Sequence, residues 1–134
     1  MPWNPRDARA FEAKACALGL ADACESEGDD RVDADAAGAA VVYRRACEVA
    51  RGSPHACLKM ARAYEAAGAP AATLAAAYRK ACEKLSFDAC SWVSRNVDGL
   101  DAESPGVIAA FRRWCDAGSS RACERVERVP ARAR

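Results

Sequence analysis

The sequence is poor in the residues that interrupt helices and in those that do chemistry. Glycine and proline number 8 and 6 in 134 residues, too few for a loop-rich fold or for a chain of many short strands and turns. Aromatic residues make up only 7%. A single histidine, His55, argues against a His-based metal centre and leaves an acid–base constellation short of partners. No serine stands three residues before a lysine, so the S-x-x-K signature of penicillin-recognising enzymes is missing, as is a Gly-rich phosphate cradle. No apolar run approaches the ~18 residues of a membrane helix, and residues 1–10 hold no apolar signal-peptide core. The expectation is a soluble chain with no catalytic group, no metal and no cofactor.

Alanine is what the sequence has in abundance: 34 of 134 residues. Alanine is the best helix former, so the chain is expected to be all-α, and its length suits one domain over residues 1–134. The formal net charge is +1, but residues 1–40 carry 4 basic and 9 acidic side chains, leaving 16 basic and 10 acidic beyond them. Such polarity can steer a partner, yet it is too dilute to be a nucleic-acid footprint.

The eight cysteines form four pairs, Cys16/Cys24, Cys47/Cys57, Cys82/Cys90 and Cys115/Cys123, and the second members recur every 33 residues. Periods of this length belong to helix-turn-helix arrays. Two cysteines eight apart on one continuous helix would lie about 12 Å apart, beyond the reach of a disulfide. A bridge therefore requires a turn inside each pair. Suitable turn residues are there: Gly19 before Asp22, Gly52-Ser53-Pro54, Ser86-Phe87-Asp88 and Gly118-Ser119-Ser120. Four local disulfides respect the repeat. Zinc and a set of reduced, buried thiols are the alternatives, although the C-x2-4-C knuckles of structural zinc sites are absent.

Three of the helices entering a cysteine pair carry an aromatic residue four positions before the first cysteine with two bases between: Tyr43 before Cys47, Tyr78 before Cys82, Phe111 before Cys115. Aromatic and cysteine then share a buried face. Phe11 is five before Cys16 and falls out of register. After Cys57 and Cys90 the core positions are Met60, Ala61, Tyr64 and Val93, Ser94, Val97. After Cys24 they are Glu27, Gly28 and Arg31, which predicts a short or frayed helix there. Helix starts are expected near Asp33 or Asp35, at Ala69-Pro70 and at Ser104-Pro105.

The pattern of an aromatic residue, two bases and a C-x7-9-C pair with a small residue four on, seen at Tyr43–Ala61 and Tyr78–Ser94 and in part at Phe111–Glu127, resembles the Sel-one-like repeats, relatives of the tetratricopeptide repeat. With a cysteine pair in every unit it looks most like their disulfide-rich branch, the Helicobacter cysteine-rich proteins. The resemblance implies a right-handed α/α solenoid with one disulfide per repeat. The units would be a leader or cap helix at 1–15, repeats at about 16–46, 47–81 and 82–114, and a C-terminal cap at 115–134.

It further implies that the helices following the second cysteines line a concave face. Their outward stripes read Asp22, Ser26, Asp29; His55, Lys59, Arg62; Asp88, Trp92, Arg95; and Arg121, Arg125, Arg128. Trp92 is the large apolar member, and Lys59, Arg62, Trp92, Arg95 and Arg125 become the candidate residues for binding an acidic or amphipathic protein or peptide. The competing reading has Trp92 packed on a neighbouring helix. Some members of the family bind or weakly hydrolyse β-lactams, making a ligand-binding or hydrolytic protein acting on cell-wall compounds the alternative function. Four disulfides would require an oxidising compartment, so the protein is expected to be exported, as a periplasmic, secreted or lipoprotein-anchored fragment whose signal is a removed leader or lies outside an excised piece. The acidic stretch around Asp33 and Asp35 does not fit a calcium loop, because Ala37 and Arg44 stand where ligands belong.

Overall fold

A computed structural model describes residues 5–49, 53–97 and 104–129. Among these residues the structure is entirely helical: α1 (Pro5–Ala17), α2 (Ala21–Arg31), α3 (Ala36–Glu48), α4 (Pro54–Ala66), α5 (Ala71–Glu83), α6 (Phe87–Asn96), α7 (Pro105–Asp116) and α8 (Ser120–Glu127). Consecutive helices pack on one another, except that α6 touches α7 only lightly and α5 makes the larger contact with α7; α1 also meets α3. None of the described helices is long and apolar enough to cross a membrane.

The helix starts are chemical. Ser53, Ser86, Ser104 and Ser119 each occupy the N-cap, and their hydroxyls accept from the amides of His55, Ala89, Val107 and Ala122. Asp35 caps α3 by accepting from the Gly38 amide at 2.9 Å. Each satisfies one amide that the first turn leaves unpaired. Proline follows the cap in α4 and α7, where its missing N–H costs nothing. Asp22 does not cap α2: the N-cap is Leu20, without a side-chain bond.

Four turns share one construction. At each, two crossed amide bonds close the helix end, such as Leu20 N to Ala15 O with Gly19 N to Cys16 O, and Ser119 N to Trp114 O with Gly118 N to Cys115 O. The residue inside the turn adopts the left-handed conformation: Gly19, Gly68 and Gly118, and at the third position Leu85 with φ 70°. This is the Schellman arrangement, which glycine adopts without a steric penalty. Leu85 pays that penalty while packing its side chain against the core.

All four expected disulfides are in place, Cys16–Cys24, Cys47–Cys57, Cys82–Cys90 and Cys115–Cys123, with Cα separations of 4.5–4.6 Å. No free thiol is left for zinc. The main core gathers Tyr43, Met60, Tyr78, Val93, Val107 and Phe111 around the two central disulfides. A smaller cluster holds Cys16 and Cys24 with Val42, Ala46 and Ala56. Phe11 of α1 joins neither and is 73% exposed.

The expectation of a short α2 is wrong: the helix runs 11 residues. Its contact with α3 comes from a missing side chain. Gly28 is buried, and a Cβ placed on it would overlap the Tyr43 ring, so the absence of an apolar stripe is offset by close approach. The Tyr43 hydroxyl then reaches past the glycine to donate to Asp29 at 2.5 Å.

Two outcomes follow. Intact mass should be unchanged by alkylation before reduction and should rise by eight adducts after it. Each local loop contributes on the order of 2.5 kcal/mol, so full reduction should abolish a cooperative melt. Gly28→Ala should lower stability by about 1–3 kcal/mol, since overpacking against a buried ring outweighs the roughly 1 kcal/mol that alanine adds to a helix; a denaturant melt measures it.

Candidate functional site

A groove of about 500 Å³ opens between α4 and α6. Leu58, Arg62 and Glu65 stand at i, i+4 and i+7 on α4, while Asp88, Trp92 and Arg95 repeat that spacing on α6, so each helix presents one stripe to the groove. Tyr78 of α5 joins them. Its ring stacks on Trp92 with centroids 4.1 Å apart and planes 7° from parallel. Its hydroxyl donates to Glu65 at 2.7 Å, and burial together with that carboxylate pushes the phenol well above its ordinary range, keeping it a donor. Arg62 reaches Asp88 across the opening at 3.5 Å.

Three of the five candidate residues therefore meet here: Arg62, Trp92 and Arg95. Trp92 combines both of the roles weighed from the sequence, because it packs against the core and also lines the groove. Arg95 is exposed and has no ion pair or hydrogen bond among the described residues. The other two candidates are spent elsewhere. Lys59 binds Glu25 at 3.0 Å and Asp29 at 2.9 Å on α2, and Arg125 of α8 donates to the Val97 carbonyl at 2.8 Å. His55 lies exposed in the first turn of α4. No cluster of His, Cys, Asp and Glu among the described residues is arranged to hold a metal.

The α2–α3–α4 region carries the same device in polar form. Lys59, two residues after Cys57, sits 5.9 Å from the centre of the Tyr43 ring, as Trp92, two residues after Cys90, sits on Tyr78. Both tyrosines donate to a carboxylate on the preceding helix. Tyr78 and Glu65 were missed as groove residues because the aromatic position reads as core. The available signal was the choice of tyrosine over phenylalanine, since a buried hydroxyl needs an acceptor.

Burial alone would raise the Asp29 carboxyl, but the Tyr43 hydroxyl and the Lys59 ammonium hold it below its ordinary value of 3.8. Burial would likewise lower Lys59, and Asp29 and Glu25 hold it above 10.5. The stabilisation from Asp29 is thus complete above pH 3.8 and is lost as pH falls through its lowered value. That from Lys59 is complete below 10.5 and is lost as pH rises through its raised one. Asp29→Asn should flatten the acid arm of the melting-temperature profile, as thermal scans from neutral into the acid range would record. Trp92→Ala should cost about 2 kcal/mol through loss of the Tyr78 stack and its buried area, and Trp92→Phe much less, by chemical denaturation.

No protein-family model, curated protein or solved structure matches the chain, so the groove is read from its own chemistry.

Proposed function

We propose that the protein is an exported, disulfide-stabilised helical-repeat scaffold, a right-handed solenoid of units of about 33 residues with one disulfide each, that binds a protein or peptide through the α4–α6 groove. The observation that carries this reading is the juxtaposition of Trp92, held by the Tyr78 stack, with the unpartnered Arg95 guanidinium. A pre-oriented aromatic ring loses little entropy on binding, and an arginine beside it recognises carboxylates; such pairs dominate interface energetics. An acidic or amphipathic peptide fits that chemistry. Four disulfides support an oxidising compartment.

The test uses synthetic acidic peptides bearing one apolar anchor, titrated at two salt concentrations. Binding should weaken with salt, and Arg95→Glu should weaken it by roughly tenfold or more while leaving stability within about 0.5 kcal/mol of the parent. Affinity unchanged in Arg95→Glu would remove the groove as the binding site.

A further inference from the structure

A second opening lies between α6, α7 and α8, away from the groove, and it departs from the repeat in a directed way. It has a volume of about 200 Å³ and is walled by Phe87, Phe111 and Trp114, with Ser91, Ser94 and Arg121 among its lining residues. Phe87 meets Trp114 edge-on, with centroids 5.0 Å apart. Thirty-three residues earlier, the positions of Ser91, Ser94, Trp114 and Arg121 are Leu58, Ala61, Ala81 and Asp88. The first three of these are buried there, at 5%, 0% and 0% exposure.

The same register is thus filled with aliphatic side chains in the middle of the chain. Towards the C-terminus it is opened, lined with hydroxyls and given the opposite charge. Packing does not ask for these changes: a hydroxyl in place of a leucine or alanine methyl gives up apolar burial. The polar groups are also uncommitted. Ser91 and Ser94 make no side-chain hydrogen bond among the described residues, and Arg121 is exposed with no ion pair there. The Trp114 indole N–H is buried without an acceptor.

We propose that this pocket binds a small aryl carboxylate, one aromatic ring bearing a short acid-terminated arm. The volume sets the size, since a cavity of roughly 150 Å³ accommodates a benzene ring and the remainder suits a carboxylate and its linker. The three aromatic walls select a flat apolar body. Arg121 supplies the charge that fixes a carboxylate, and the two serine hydroxyls add donors to its oxygens. The pocket is independent of the peptide groove, and neither reading rests on the other. A free acid and the C-terminal aromatic residue of a peptide share this chemistry.

Titration of the oxidised, isotopically labelled full chain with 3-phenylpropionate should shift the Trp114 indole N–H resonance saturably, with a dissociation constant on the order of a millimolar or tighter. The Trp92 indole, in the other groove, should stay still. Ser91→Leu, which restores the residue found 33 positions earlier, should abolish the shift while keeping or raising the melting temperature. Arg121→Gln should weaken binding about tenfold, and benzyl alcohol should bind no better to the parent than to that variant. Tighter binding of N-acetylphenylalanine than of 3-phenylpropionate would identify a peptide end as the ligand's source, and the reverse order a free acid. No saturable shift at roughly 10 mM ligand, or equal affinity in parent, Ser91→Leu and Arg121→Gln, would overturn the proposal.

Discussion

The covalent bond across each helical turn is the constraint on which the rest depends. It holds the end of one helix and the start of the next with Cα atoms 4.5–4.6 Å apart, and the helices can approach because their facing residues are small. Ala39, Ala46, Ala61, Ala81 and Ala89 are all fully buried. An alanine core buries little apolar area per residue, at about 25 cal/mol per Å². Restricting the unfolded chain therefore contributes a large share of a stability that is ordinarily only about 5–15 kcal/mol. The disulfides and the small-residue core are two halves of one solution, with close packing supplying geometry and cross-links supplying free energy.

Much of this was legible in the residue order because it is local. A serine before a helix, a glycine after one and two cysteines flanking a turn each act within a few positions, and the caps at Ser53, Ser86, Ser104 and Ser119 were found where those signals stand. Two local features escaped. Leu85 takes a left-handed turn that its residue type argues against, a case of tertiary packing overriding backbone preference. In α2, Gly28 reads as a weakness in a helix, and its value appears only once Tyr43 lies against it.

The groove was legible in part, for a different reason. The stripe rule placed Arg62, Trp92 and Arg95 on one side of their helices, and they do line one opening. It could not tell which cations were free. Lys59 is bound by carboxylates 30 and 34 positions earlier, and Arg125 by a carbonyl 28 positions earlier. The acidic excess of residues 1–40 is thus partly answered within the fold, by Lys59 against Glu25 and Asp29.

Because every cross-link joins nearest neighbours in sequence, the route to the oxidised protein is short. Eight cysteines permit 105 complete pairings, but the chance of two thiols meeting in an open chain falls as about the three-halves power of their separation. Cys16 and Cys24 are 8 residues apart, whereas Cys24 and Cys47 are 23 apart, so the correct encounter is favoured about fivefold by chain statistics alone. Each turn further biases the same encounter as it forms. Correct connectivity is therefore favoured by proximity along the chain before any tertiary contact forms.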